Sequence, residues 1–327
     1  MQGKLSIIWQ AQAPSEREWI EDVFGGIFGE QISDGRHVVV ADDSLLIDSY
    51  IHRHPSDYYE KFRGKNAFLL HLSDETYAGG YGCYDCFRGV FRNYWSAIFR
   101  PQRVFTLPLG YCNGLRHGVP TTPASKRRYI WSFLGQLAKA SRPDMMRALA
   151  DVAPHFCHDK GMRAQSALPP PEYKRILLDS MFSPCPMGNV NLDSFRLYES
   201  LECGSIPIVE KRLTLDYFGR LLGQHPLPVV RTWRAARVLI RSLMHKAEAL
   251  DKLQQRCIQW WAEYKCKLRS DVRAFLQRCS ADKSDMHSIS SWQSLPFWQV
   301  WELCRHHSFP ALARRVRQAI LRPTKAR

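Results

Sequence analysis

Short apolar runs alternate with helical patterns over the first 110 residues of the chain. The run Leu5–Trp9 predicts a buried strand, and Ser15–Phe28 predicts an amphipathic helix with Ser15 as its N-cap. Tyr58–Arg63 predicts one helical turn. Further strands are predicted at His37–Ala41, Leu45–Ile51, Ala67–Leu72 and Val104–Leu109. Because these strands are apolar throughout, they favour a parallel sheet covered by helices on both faces.

The same alternation returns after residue 128. Between the two halves, residues 114–128 are rich in glycine, proline and small polar residues, which predicts an interdomain linker. The second half is predicted to contain strands at Tyr129–Leu134, Ala153–His158 and Ile206–Val209, and helices at Pro143–Val152 and Glu172–Ser180. Two α/β domains joined in this way create a cleft, and such sheets bind ligands at the carboxyl ends of their strands.

From Trp233 onward the pattern is helical only. Residues 235–279 predict either one long helix or two helices in sequence, and residues 309–323 predict a basic amphipathic helix. The predicted organisation is therefore an α/β fold with a helical extension. Its parts are a first domain at 1–113, a linker at 114–128, a second domain at 129–233 and a basic helical extension at 234–327.

Composition narrows the class of protein. Hydrophobic residues make up 45% of the chain and aromatic residues 12%, which is enough for packed cores and excludes wholesale disorder. No apolar run reaches the roughly 18–20 residues of a membrane span, and the amino terminus lacks a signal-peptide core, so a cytoplasmic location is expected. The ten cysteines are scattered, and the lone Cys83–Cys86 pair has no second pair at zinc-ligand spacing. Reduced cysteines are expected.

The positive charge is concentrated in the last third of the chain. Residues 211–327 hold 23 Lys and Arg against 8 Asp and Glu, whereas the whole chain holds 46 against 31. This charge suggests a nucleic acid or an anionic membrane surface as a partner, the latter through residues 294–327 on the inner face of the membrane. The alternative is a helix packed on the second domain with its arginines in water. Nucleic acid is not expected, because helix-turn-helix, RNP and zinc-finger patterns are absent.

The stretch 188–209, GNVNLDSFRLYESLECGSIPIV, carries the strongest chemical signal. Asp193 and Ser194 are good N-cap residues, so a helix is expected to begin there. Gly188 and Asn189 form a loop that lets the backbone approach a ligand closely. A helix start next to such a loop is a ready anion site, since its free N–H groups and its dipole favour negative charge.

Arg196 and Glu199 lie one turn apart on one face of this predicted helix. An arginine fork near the helix start suits a diphosphate, and a carboxylate one turn deeper can accept hydrogen bonds from the two hydroxyls of a ribose. The alternative is an ordinary surface ion pair worth about 0.2–0.5 kcal/mol. Spacing alone leaves both interpretations open. The Walker pattern GxxxxGK[ST] and the fingerprint GxGxxG are both absent.

Residues 183–209 closely resemble the signature of the exostosin-type glycosyltransferases. The signature combines a proline-rich strand end, an Asp-Ser-x-Arg-x-x-Glu helix and a Gly-x-x-Pro-(Ile/Val) strand. The similarity extends more weakly across Tyr129–Val209 and into the helices up to about residue 278. In the first half, HLSDETYAGG and FRNYW look similar to bacterial members and to the ribitol xylosyltransferase branch. The resemblance implies the GT-B architecture, in which two Rossmann-like domains face each other.

The resemblance also implies an activity. It implies inverting transfer of a sugar from a nucleotide-sugar, usually a UDP-sugar, to a hydroxyl of a glycan or lipid-linked acceptor, with no metal cofactor. Carried over residue by residue, Glu199 would hold the ribose, and Arg196 with Ser194 the diphosphate. Gly135 and Gln136, at the end of the second domain's first strand, would lie beside the phosphates. The alternative is a degenerate, non-catalytic GT-B domain that binds or scaffolds in polysaccharide assembly.

Inverting transfer requires a base that deprotonates the acceptor hydroxyl. His71, Asp74 and Glu75 end the strand AFLLHL, where α/β sheets present functional residues, and Asp74 or Glu75 is the expected base. Asp42 and Asp43, after HVVVA, are the second choice. Each acid could instead be a helix cap or a solvated loop acid. The Asp42–Asp43 pair does not have DxD spacing, so no metal site is expected there.

Overall fold

The computed structural model describes residues 4–10, 15–33, 42–55, 57–77, 80–116, 118, 122–159, 161, 167–188, 191–212, 216–282 and 287–289. Three predictions fall outside the described residues: the strand His37–Ala41, the loop residue Asn189 and the basic tail at 294–327. Within the described ranges, no helix combines the length and apolar character that crossing a membrane would require.

The described residues of the first half form a six-stranded sheet. Its strands pair in the order β2-β1-β3-β4-β5-β6, and every neighbouring pair is parallel. The elements are β1 (Leu5–Trp9), α1 (Arg17–Phe24), β2 (Phe28–Ser33), β3 (Ser44–Asp48), β4 (Ala67–His71), β5 (Gly89–Arg92) and β6 (Val104–Thr106). Short 3-10 turns lie at Gly25–Ile27, Ile51–Arg53, Glu60–Phe62 and Tyr81–Cys86. The predicted helical turn at Tyr58–Arg63 is thus confirmed.

The second half forms a five-stranded parallel sheet with the order β11-β10-β9-β7-β8. A 3-10 turn at Ala124–Lys126 precedes it. The elements are β7 (Tyr129–Leu134), α2 (Arg142–Leu149), β8 (His155–His158), α3 (Pro170–Leu178), β9 (Ser180–Cys185), α4 (Phe195–Glu202), β10 (Ile206–Glu210), α5 (Tyr217–Leu222) and β11 (Val229–Val230). Both predicted sheets are therefore present and both are parallel, as the continuously apolar strands indicate.

Two helices follow, α6 (Trp233–Leu243) and α7 (Ala247–Ala281), which decides between the two alternatives for residues 235–279. The 35-residue α7 runs from the second sheet back to the first. Its Phe275 ring lies 4.9 Å from the Phe91 ring of β5, and its Trp261 stacks at 5.6 Å on Trp19 of α1. The helix α7, part of the predicted helical extension, therefore packs against both halves of the chain.

Some local predictions were wrong. The first helix begins at Arg17 after Glu16, so Ser15 is not its N-cap, and it ends at Phe24. Its predicted end was too late because Phe28 already begins β2, which pairs with β1. The 114–128 segment is also partly anchored, since the Ala124 amide donates to Gln254 Oε1 of α7 at 2.7 Å.

Candidate functional site

A cavity of about 490 Å3 lies where the carboxyl ends of the two sheets face each other. From the first sheet, the segments after β4, β5 and β6 contribute Glu75, Tyr94 and Leu109. From the second sheet, the segments after β7, β8 and β9 and the start of α4 form the opposite wall. This is the position at which parallel α/β sheets bind ligands. Seven of the predicted site residues line it: Glu75, Gly135, Gln136, Asp193, Ser194, Arg196 and Glu199.

The helix α4 begins where the sequence predicted, with Ser194 at the N-cap position in extended conformation. Its side chain forms no cap bond, and the Ser194 hydroxyl has no hydrogen-bond partner within the part of the chain that the structure describes. Ser194 therefore brings an unpartnered hydroxyl to the cavity wall.

Asp193 does not cap the helix with its side chain. Its Oδ2 accepts a hydrogen bond from the Leu109 amide of the first half at 3.2 Å, and its Oδ1 accepts one from the Tyr198 hydroxyl at 2.7 Å. The carboxyl is 1% exposed, and this burial raises the pKa of Asp193 to about 7. An acid tied in this way joins the two halves and is not available as a first-turn ligand.

Arg196 is held against the end of β7. Its Nη2 donates to the Leu134 carbonyl, and its guanidinium lies 4.1 Å from the centre of the Phe133 ring. Gly135 makes room for it, because a Cβ there would come within 2.5 Å of Arg196 Nη2, and Gly135 has φ +154. The Nε of Arg196 is buried without a hydrogen-bond partner among the described residues. The guanidinium therefore has an unused donor in the wall of the cavity.

A second arginine, Arg142 at the start of α2, lines the same cavity and was not predicted. Its Nη1 donates to the carbonyl of Gln136 at 2.8 Å, which gives the predicted residue Gln136 a positioning role. Burial, and then the neighbouring charge of Arg196, lower the pKa of Arg142 to about 10, so the group is still protonated at neutral pH. Two like charges held close together in a partly buried cavity favour binding of an anion. Lys139 and His158 also line it.

Glu199 is 6% exposed and lies one turn further along α4. Its Oε2 accepts a hydrogen bond from the Tyr173 hydroxyl of α3 at 2.7 Å. In the described ranges no ion pair joins Glu199 to Arg196, so the two side chains do not form the surface pair that spacing left open. The carboxylate keeps acceptor capacity toward the cavity, since each ionised carboxylate offers about four lone-pair sites.

Of the two acids predicted as base, the structure brings only Glu75 to the cavity. Its Oε1 accepts a hydrogen bond from the Asn191 amide of the second half at 3.2 Å. Asp74 is 7% exposed and points into the first half, where its Oδ2 accepts from the Tyr81 hydroxyl at 2.6 Å and from Arg92 at 3.2 Å. The assignment of Asp74 to the reacting cleft is therefore contradicted by its place in a buried ion pair.

Asp42 and Asp43 are likewise misplaced for the role of second choice. They directly precede β3, so they lie at the amino end of that strand, whereas the cavity lies at the carboxyl ends. His71 is also removed from the cavity, since it is 1% exposed and its Nδ1 lies 2.6 Å from the Tyr84 hydroxyl. Burial lowers the pKa of His71 to about 3, so it is neutral.

Known proteins match part of the chain by sequence. Residues 117–279 match the family described as the RXYLT1 C-terminal domain. The chain is 28% identical over 202 residues to the human protein named ribitol-5-phosphate xylosyltransferase 1, covering 53% of this chain and 44% of that protein. It is 26% identical over 211 residues to the Danio rerio protein of the same name, covering 58% and 48%. The chain thus spans less than half the length of these relatives.

Solved structures resemble the whole described fold at low identity. An alpha1,3-fucosyltransferase matches with TM-score 0.54 and 9% identity, over 87% of this chain and 92% of its own. Anabaena HepE in complex with UDP matches with TM-score 0.50 and 9% identity, over 84% and 99%. T4 phage BGT in complex with its UDP-glucose substrate matches with TM-score 0.50 and 11% identity, over 84% and 99%. The chain therefore has the GT-B fold of glycosyltransferases, and its residues 117–279 are similar to the RXYLT1 C-terminal domain.

Proposed function

We propose that this protein is an inverting glycosyltransferase that moves a sugar from a UDP-sugar to a hydroxyl of a glycan or lipid-linked acceptor. One observation carries the proposal: two guanidinium groups and a buried carboxylate, from Arg142, Arg196 and Glu199, converge on one cavity between two facing sheets. The relatives named as xylosyltransferases and the similar folds solved with UDP or UDP-glucose support the same class of reaction. The Asp-Ser-x-Arg-x-x-Glu helix supports the exostosin-type branch.

The donor would lie along the second wall of the cavity. Arg196 and Arg142 suit the diphosphate, because arginine forks bind phosphate oxygens through two parallel hydrogen bonds. The unpartnered hydroxyl of Ser194 adds a donor at the helix start. Glu199 would then accept hydrogen bonds from the ribose hydroxyls while Tyr173 holds its other oxygen. The arginines would supply the positive charge that the leaving diphosphate requires.

The acceptor would approach from the first half of the chain, where Glu75 lies on the opposite wall. In the proposed step, the Glu75 carboxylate takes the proton of the acceptor hydroxyl while that oxygen forms a bond to the anomeric carbon. The bond from the anomeric carbon to the diphosphate breaks on the opposite face, so the configuration inverts. The released UDP carries the electron pair, and its negative charge lies beside Arg142 and Arg196. No metal is proposed.

The test asks which nucleotide-sugar the protein hydrolyses and whether Glu75 acts as the base. Wild-type protein is incubated with a panel of UDP-, GDP- and CMP-sugars, and free nucleotide is measured, since slow donor hydrolysis requires no acceptor. Glu75→Gln should lower turnover by about 100-fold or more, the usual contribution of a general base, while UDP binding by calorimetry is retained. Glu263→Gln, on the outer face of α7, removes an acid elsewhere and should leave turnover unchanged. Full activity of Glu75→Gln contradicts the base, and no response to any nucleotide favours a non-catalytic domain.

A further inference from the structure

A second concave surface lies beside the cavity in which we propose that the donor binds, here called the donor cavity, and on the same edge of the second sheet. It is a groove of about 800 Å3 between α2 and α6, at the carboxyl ends of β10 and β11. Ser141 lines this groove, whereas the next residue, Arg142, lines the donor cavity. The two sites are therefore adjacent, and these two consecutive residues line them separately. We call this groove the arginine groove.

The arginine groove is strongly basic. Six arginines line it: Arg147, Arg212, Arg231, Arg234, Arg237 and Arg241. Among the described residues three carboxylates pair with them: Arg147 pairs with Asp144, Arg212 pairs with Glu210, and Arg237 and Arg241 share Asp151. Within the described ranges neither Arg231 nor Arg234 forms an ion pair. The six positive charges of these arginines thus exceed the three negative charges of their carboxylate partners by three.

The existing ion pairs do not block the groove. Arg147 and Arg241 are 79% and 50% exposed, and Asp151 is 48% exposed. Exposed pairs of this kind contribute only about 0–1 kcal/mol, so a phosphate group can compete for the same guanidinium groups. An acid shared by two arginines also leaves N–H donors on both.

Buried donors point to a ligand independently of the surface charge. Trp233 lines the groove and is 4% exposed, yet its Nε1 has no hydrogen-bond partner in the described part of the chain. The Nε of Arg237 is buried and equally unpartnered among the described residues. Both lie in the first turns of α6, which begins after Thr232 and directs the positive end of its dipole at this place. Buried N–H groups are normally hydrogen-bonded, so unpartnered ones beside a basic groove suit anionic oxygens.

We propose that the arginine groove binds the phosphate groups of an extended polyanionic chain, at a site separate from the donor cavity. Planar arginine forks recognise phosphate, and here six of them line one concave surface, along which successive phosphate groups of a chain can lie. A membrane-binding face would combine basic residues with several exposed apolar side chains. Val238, 69% exposed, is the one exposed large hydrophobic residue among the described residues that line the groove. The arginine groove therefore favours a polyanionic chain over a membrane surface as its ligand.

The test uses inorganic polyphosphate as the probe, titrated into the full chain by calorimetry with and without saturating UDP. Arg231→Gln/Arg234→Gln should weaken polyphosphate binding about 10- to 150-fold, the value of one hydrogen bond to a charged group. UDP binding should be unchanged in this variant, which also shows that it is folded. The control Lys252→Gln/Arg256→Gln removes the same charge from the exposed face of α7 and should bind polyphosphate as the wild type does.

Four outcomes would overturn the proposal. The first is that the wild-type protein does not bind polyphosphate. The second is that UDP displaces the polyphosphate, which would place it in the donor cavity. The third is that the control variant loses as much affinity as the groove variant. The fourth is that the groove variant loses binding to phosphatidylglycerol vesicles and keeps its affinity for polyphosphate, which would make the surface a membrane contact. The proposed transferase activity is tested separately by donor hydrolysis, so either idea can fail alone.

Discussion

Replacing Glu199 tests the proposed donor site most directly. The carboxylate is 6% exposed, and one of its oxygens accepts a hydrogen bond from the Tyr173 hydroxyl at 2.7 Å. A glutamine keeps the length of the side chain and one carbonyl oxygen. Its amide end cannot serve the Tyr173 hydroxyl and two ribose hydroxyls as acceptors at the same time. Glu199→Gln should therefore lose at least one charge-assisted hydrogen bond to the ribose.

The loss has a definite size. A hydrogen bond to a charged group contributes about 1.5–3 kcal/mol, which corresponds to an affinity for UDP that is about 10- to 150-fold lower. Calorimetric titration with UDP measures this factor. The same titration with 2′,3′-dideoxy-UDP removes the ribose hydroxyls from the ligand side. If Glu199 accepts from these hydroxyls, the wild type and Glu199→Gln should bind the dideoxy compound with nearly equal affinity, because the lost interaction is then absent from both.

A matched control comes from the next turn of the same helix. Glu202 is also buried, and its Oε1 accepts from Trp261 at 2.7 Å and pairs with Lys265, away from the cavity. Glu202→Gln should lower the free energy of unfolding and leave UDP affinity unchanged. The reasoning is refuted if Glu199→Gln binds UDP as tightly as the wild type. It is also refuted if that variant weakens UDP and the dideoxy compound by the same factor.

Three further predictions concern the support of the site. Gly135→Ala should weaken UDP binding about tenfold or more by calorimetry, since the new Cβ would lie 2.5 Å from Arg196 Nη2 and displace a charge-assisted donor. Asp74→Asn should lower the free energy of unfolding by about 3–5 kcal/mol in urea, because Arg92, at 0% exposure, would lose its buried partner. The pKa of Asp193 is raised to about 7, so between about pH 4 and 7 the folded state holds a proton that the unfolded chain has released. The free energy of unfolding of the wild type should therefore fall as pH rises from about 4 to 7. Asp193→Asn should remove this pH dependence.

The first two of these predictions have a matched control, and all three have a result that would contradict them. Gly82→Ala introduces a Cβ with no atom within 4 Å and should leave UDP affinity unchanged; equal losses in both glycine variants would contradict the role of Gly135. Glu60→Gln breaks an exposed pair with Arg63 and should cost less than about 1 kcal/mol; a similarly small loss in Asp74→Asn would contradict its burial argument. For Asp193→Asn, the free energy of unfolding is measured in urea at several pH values. If it falls with pH as steeply as in the wild type, another group carries the proton.

Local pattern was sufficient where an element consists almost wholly of apolar residues. The strands β1 and β7 were predicted with the bounds that the structure has, because every residue of LSIIW and YIWSFL packs into a sheet interior or its edge. The strand β2 gave no such signal. Among the described strands it lies at the edge of its sheet and pairs with β1 alone, and its sequence FGEQIS has only two large apolar residues. Edge strands carry polar residues because one side faces water.

The site shows the same limit. Arg196 and Glu199 could be predicted because their relation lies within one helical turn of a single motif. Arg142 could not, since it reaches the cavity from the start of a different helix, where its guanidinium donates to the carbonyl of Gln136 six residues earlier. Tyr173 lies 26 residues before Glu199, and nothing in the spacing of the two indicates their hydrogen bond. Contacts between elements are fixed by packing, which single-sequence periodicity does not contain.

Asp74 and Glu75 show why the sequence could not choose between the two acids that it offered first as the proposed base. Both acids lie beyond the end of β4, where Ser73 has φ +60 and the side-chain alternation of a strand no longer applies, so sequence spacing does not tell which of them faces the interior. Which one does so is decided by Arg92, which is 18 residues away and fully buried in β5, and which needs a counter-charge there. Because an unpaired buried guanidinium is far more costly than a solvated carboxylate, that need fixes Asp74 inward. Glu75 is thereby left to face the cavity, where its Oε1 meets the Asn191 amide of the opposite half.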